Sequence, residues 1–83
     1  MSETLKNQTL DIRNYLSPLS VLKIKSRLNE MKDGQILEVL SNDFETLVVL
    51  GQIIENSSDE LIGVEQKDEY KKISIKRRTP IDH

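Results

Sequence analysis

The stretch that most constrains this chain is TLDIRNYLSPLS, Thr9 to Ser20. Leu10 and Ile12 alternate with Asp11, the pattern of a short half-buried strand over Thr9 to Arg13. Asn14 to Leu16 read as a loop. Ser17 reads as an N-cap, and Pro18 suits the first helical position, where the missing N–H has no intrahelical partner to lose. A strand that feeds a helix this directly presents the helix's first backbone N–H groups at an exposed turn, where small α/β domains often keep their chemistry.

From Pro18 the apolar spacing predicts a helix to about Lys32. Val21, Ile24, Leu28 and Met31 share one face, Leu22 widens that stripe, and Lys23, Lys25 and Arg27 point elsewhere. Gly34 is placed to end the helix in the left-handed conformation. The near-continuous run Ile36, Leu37, Val39 and Leu40 within Gln35 to Ser41 predicts a central strand covered on both sides. Strand, helix and strand with short connections make a parallel unit with a right-handed crossover.

Asn42 or Asp43 caps a second helix, with Glu45 completing a capping box from Asn42. Leu47, Leu50 and Ile54 lie on one face, thickened by Val48, Val49 and Ile53, and Gly51 marks close packing or a bend. Asn56 to Asp59 form a loop. Leu61 to Gln66 and Lys71 to Arg77 are then two strands around a turn at 67–70, with Ile62 and Val64 alternating in the first and Ile73 and Ile75 in the second. The order β-α-β-α-β-β specifies an α/β (α+β) two-layer sandwich, a four-stranded mixed sheet with two helices on one face. Residues 1–8 and 79–83 are expected to be flexible tails around a single domain at 9–78.

Composition narrows the chemistry. Eighty-three residues fill one core. With no cysteine, disulfides, thiolate catalysis, Cys-ligated zinc and iron–sulfur clusters are excluded. No apolar run approaches the ~18 residues of a membrane span, and the N-terminus has no signal-peptide pattern, so a cytoplasmic protein without membrane contact is expected. The net charge of −2 hides a segregation: residues 1–41 sum to +1, 42–69 to −7 and 70–83 to +4. Two electrostatic faces follow if the fold keeps these segments apart.

The run LDIRNYLSPLSVLKIKSRLNEMKDGQILEVLSND resembles the signature LDxRGLxCPxPxxxxKxxLxxLxxGxxLEVxxxD of the TusA/SirA/YedF family of small sulfur-carrier proteins. Leu10, Asp11, Arg13, Pro18, Lys25, Leu28, Gly34, Leu37, Glu38, Val39 and Asp43 match it without a gap, and weaker similarity extends over about 9–77. The resemblance implies a sulfurtransferase site in which a cysteine at the Cys-Pro-x-Pro turn carries a persulfide. The partial positive charge of a helix N-terminus stabilises such an anion. Here Ser17 stands at the cysteine position and Ser20 at the second proline. A serine hydroxyl is neutral at pH 7 and forms no persulfide. Asn14-Tyr15, Val49, Gly51 and Ser58-Asp59 also depart from the family pattern, so the changes cluster as in a divergent member rather than a single engineered exchange.

The expectation is therefore no catalytic residue, no metal and no cofactor, and a noncatalytic protein-binding or regulatory module related to sulfur transfer. Family members dock partners around the carrier loop, which makes Arg13, Tyr15, Lys23 and Arg27 the candidate contacts for a protein of a sulfur-transfer pathway. The alternative is a sulfur carrier whose cysteine has been exchanged for Ser17. Ser17 as a nucleophile would need a base, and the only histidine is the terminal His83. Asp11, Glu38, Asp43 and Glu45 have no recognised cation-loop spacing. Lys71, Lys72, Lys76, Arg77 and Arg78 offer an RNA-binding alternative, supported by a fold similarity to the C-terminal domain of bacterial translation initiation factor three. The negative net charge and the lack of an aromatic stacking pair weigh against it. Protection of an exposed edge strand explains the same basic residues.

Overall fold

The computed structural model describes residues 7–79, so of the tails expected at 1–8 and 79–83 only Asn7, Gln8 and Thr79 are described, and Gln8 opens the first strand. The elements are β1 (Gln8–Asp11), α1 (Leu19–Asn29), β2 (Ile36–Ser41), α2 (Phe44–Glu55), β3 (Glu60–Gln66) and β4 (Lys71–Lys76). The predicted order and the mixed α+β sandwich are what the chain forms. The strands lie in the order β1-β2-β4-β3, with β1 parallel to β2 and the other pairs antiparallel. Leu37 sits opposite Ile75 and Val39 opposite Ile73, so these four point to one side of the sheet. Ile24 and Leu28 of α1 and Leu50 and Ile54 of α2 join them in a single buried cluster. Both helices therefore cover the same face.

Several local expectations are corrected. β2 is central, but it is fully buried only on its helix side; Ile36, Glu38 and Leu40 are half-buried on the face that no helix covers. β1 ends at Asp11 rather than Arg13, because the Arg13 N–H donates back to Asp11 Oδ1 at 3.1 Å and turns the chain. α1 ends at Asn29, and Gly34 does not cap it. With φ +93°, Gly34 instead occupies the third position of a Lys32–Gln35 turn closed by a 3.1 Å bond from Gln35 N–H to Lys32 C=O, where a type II turn needs the left-handed region. Leu22 does not widen the core stripe: it points away from the sheet and is 59 % exposed. Val48 is likewise exposed.

The last hairpin shows the largest departures. A bulge between Leu61 and Gly63 shifts the phase of β3, so Leu61 and Val64, opposite Ile75 and Ile73, face the helices. The expected Ile62–Val64 alternation is broken by that one extra residue. β4 lies inside the sheet between β2 and β3, so its basic side chains do not guard an edge. Lys72 and, just beyond the strand, Arg77 and Arg78 are paired with acids instead. Lys72 meets Glu38 at 3.3 Å, Arg77 meets Asp59 at 3.1 Å and Arg78 meets Glu60 at 3.1 Å. These pairs join the basic end of the chain to acidic positions, so the segregation read along the chain is only partly preserved on the surface. The backbone N–H of Thr79, expected in the loose tail, donates to Asp33 Oδ1 at 2.8 Å.

Candidate functional site

The loop between β1 and α1 is shaped by a succession of short-range bonds. Arg13 donates its N–H and its guanidinium to Asp11, with Nη2 2.8 Å from Oδ2. Tyr15 N–H then donates to Ile12 C=O at 3.1 Å, closing a turn. The first helical bond runs from Ser20 N–H to Leu16 C=O at 3.0 Å. Pro18 holds the N-cap position with helical backbone angles, φ −90° and ψ −6°, and a cis bond joins it to Ser17. This overturns the expected Ser17 cap: Ser17 stands one residue outside the cap position, and no side chain caps α1.

The Ser17 N–H is satisfied from the other helix. It donates to Asp43 Oδ2 at 3.0 Å. Asp43 is also the N-cap of α2, with extended backbone angles that let the same oxygen accept Thr46 N–H at 3.2 Å and the Thr46 hydroxyl at 2.6 Å. The cap is therefore Asp43 with Thr46, not a box from Asn42 to Glu45. Because the Thr46 hydroxyl proton goes to Asp43, Ser20 Oγ, 2.5 Å away, donates to Thr46 Oγ1. Ser20 and Thr46 are fully buried where the two helices meet. Ser41 Oγ accepts Asp43 N–H at 3.2 Å and completes the chain of contacts. The Thr46 hydroxyl, then the Ser17 N–H, hold the Asp43 carboxyl below its ordinary pKa, against a smaller opposing effect of burial.

Nothing comparable acts on the Ser17 hydroxyl, which has no hydrogen-bond partner among the described residues. His83, the base considered from sequence, lies outside them. Activation of a serine nucleophile requires a base within hydrogen-bond reach, and Asp43 contacts the Ser17 backbone rather than its oxygen. Asp11 and Glu38 are engaged by Arg13 and Lys72, and Asp43 by its cap. Among the described residues no three acidic or histidine side chains gather as a cation site.

The four candidate contact residues do not form one cluster. Lys23 Nζ lies over the Tyr15 ring at 4.8 Å from its centroid, and Arg27, one turn further along α1, reaches Gln8 Oε1 at 3.4 Å. These three follow one side of α1. Arg13 turns the other way, its guanidinium 4.9 Å from the centre of the Tyr70 ring in the β3–β4 turn. Sequence reasoning missed two features. One is the Ser20–Thr46–Asp43–Ser17 chain. The other is a set of large apolar side chains left in solvent around the loop: Leu16 at 69 %, Leu19 at 52 % and Leu22 at 59 % exposed. The signal for the second was present, since Leu19 and Leu22 lie off the Val21–Ile24–Leu28 stripe.

Comparison with known proteins bears on this geometry. The family profile described as sulfurtransferase TusA matches residues 8–77. A protein of Archaeoglobus fulgidus assigned as a sulfur carrier is 32 % identical over 73 residues, covering 87 % of this chain and 83 % of the relative. The sulfur carrier protein TusA of Buchnera aphidicola is 27 % identical over 74 residues, covering 89 % of this chain and 94 % of the relative.

Proposed function

This chain belongs to the TusA family, and we propose that it acts there as a noncatalytic docking module of the cytoplasm: it occupies a sulfur-transfer partner without accepting sulfur. That some relatives are named as sulfur carriers supports a partner from sulfur transfer. The observation that carries the reading is the contrast within the loop. The thiol is missing at Ser17, while Leu16, Leu19 and Leu22 stay exposed beside it and Asp43 still fixes the loop backbone. Apolar side chains grouped on one exposed surface mark a protein-interaction site. Lys23, on α1 beside them, adds a cationic contact that selects partners and speeds encounter more than it raises affinity.

Competition tests this directly. Sulfur transfer from a cysteine-bearing TusA protein to its partner is followed while this chain is added in excess. Docking predicts inhibition, and Leu19→Glu with Leu22→Glu, on the exposed face of α1, relieves it without loss of fold. Transfer that proceeds unchanged at large excess rules the reading out.

A further inference from the structure

From Ile12 to Leu28 the chain carries four cations and no acid. Arg13 is taken up by Asp11. The other three, Lys23, Lys25 and Arg27, all stand on α1, and none forms an ion pair among the described residues. Lys23 rests on the Tyr15 ring and Arg27 reaches the neutral Gln8 side chain, contacts that leave both positive charges uncompensated. Glu30, which borders the same shallow cavity as Lys23 and Arg27, pairs with neither. The apolar groove floored by Leu50, Ile54 and Ile73 between α2 and β3 is different. Around it Asp59, Glu60 and Glu65 are held by Arg77, Arg78 and Lys67, so no comparable charge is left over.

The free cations on α1 are also ordered around its exposed leucines. Val21, Ile24 and Leu28 turn inward, which leaves Leu19, Leu22 and Ser26 in solvent. Lys23 follows Leu19 by four residues and Lys25 follows Leu22 by three. At about 100° per residue, the two lysines lie on opposite flanks of the leucine pair. Arg27, one turn after Lys23, extends one flank.

This pattern specifies its complement. RNA needs rings on which its bases stack, and the nearest ring, Tyr15, lies under Lys23. Anionic lipid surfaces are held by clusters of about four to eight cations, against three here with Glu30 beside them. A second copy related by a two-fold axis on this face would set the cations against one another. We propose that α1 docks on an acidic protein surface, whose apolar centre covers Leu19 and Leu22 and whose carboxylates stand on both sides of it, opposite Lys25 and opposite Lys23 and Arg27. This rests on the docking reading and names the chemistry of its partner.

The probe is a blocked, helix-forming synthetic peptide with leucines on one stripe and glutamates along both borders, titrated into the labelled full chain and followed by amide NMR. Saturable shifts are expected at Leu19, Leu22, Lys23, Lys25 and Arg27. Exchanging the peptide's glutamates for lysine weakens binding at least about tenfold. Lys23→Glu with Lys25→Glu does the same, whereas Lys67→Glu with Lys71→Glu, an equal change of net charge in the β3–β4 turn, leaves it unchanged. No shifts on α1 at millimolar peptide, or equal affinities for the two peptides, overturn the proposal. So does tighter binding of the same amides to phosphatidylglycerol vesicles or to oligouridine, or self-association through α1 in sedimentation. In the sulfur-transfer competition, the Lys23→Glu, Lys25→Glu chain is expected to need at least about tenfold more protein for the same inhibition. If it inhibits as well as the unaltered chain, docking stands and the acidic partner falls; if the unaltered chain does not inhibit, docking itself falls.

Discussion

The two helices begin a few ångströms apart and begin differently. α2 has its own cap: Asp43 accepts from Thr46, and Glu45 adds a second negative charge in the first turn, both favourable at the positive end of a helix dipole. α1 has no acidic residue in its first turn and no side-chain cap, and starts from Pro18. Its approach loop is held instead by the cap of its neighbour, through the 3.0 Å bond from Ser17 N–H to Asp43. The geometry of the carrier turn thus depends on the backbone of residue 17 and on a carboxylate 26 positions later. It does not depend on which side chain residue 17 carries. That is why the turn persists with serine where the family has cysteine.

The strongest attempt to break this contrast is Thr46→Val, which keeps the shape of a fully buried residue and deletes its hydroxyl. Ser20 Oγ then loses its acceptor and Asp43 its shortest donor, and stability in urea falls by about 2 kcal/mol. The same variant moves the Asp43 titration. Unfolded aspartate titrates near ~3.9, and the folded value lies below it, so the stabilisation is complete above that pH and is lost as pH falls through the folded value. Thr46→Val raises the folded value and narrows that acid window, read by NMR of the Asp43 carboxyl. A Ser17 amide shift that ignores the substitution would show that the loop is held by something else.

Ser20→Ala removes only the outer donor and lowers stability by about 1 kcal/mol, with the Asp43 titration nearly unmoved. The smallest effect belongs to Ser17→Cys. The hydroxyl has no partner among the described residues, so restoring the family residue changes stability by less than about 0.5 kcal/mol and leaves the Ser17–Asp43 contact intact. A large drop in melting temperature would mean that the turn had adapted to serine, and the contrast between the helix starts would need to be redrawn.

Much of this was legible along the chain. The element order, the parallel first unit and the core residues Ile24, Leu28, Leu37, Val39, Leu50, Ile73 and Ile75 all follow from apolar periodicity, because a side chain's face is set by local geometry. Errors came where one residue changed the phase or where a distant group took over. The bulge in β3 exchanged Ile62 for Leu61 on the helix side. The serine–proline pair read as a cap from local preference, yet the Ser17 N–H found its acceptor across the molecule. The basic strand read as an edge because strand order depends on pairing between segments far apart, and β4 is inserted between β2 and β3.

By itself the sequence determined the fold class, the family and the absence of sulfur chemistry at position 17, since each rests on residue type and spacing. Only the tertiary structure decided that Asp43 holds the carrier turn, that Leu16, Leu19 and Leu22 remain in solvent, and that an apolar groove opens between α2 and β3. These are properties of contacts between elements that lie far apart in the chain. Local propensity and periodicity carry no record of them until the sheet and the two helices are assembled.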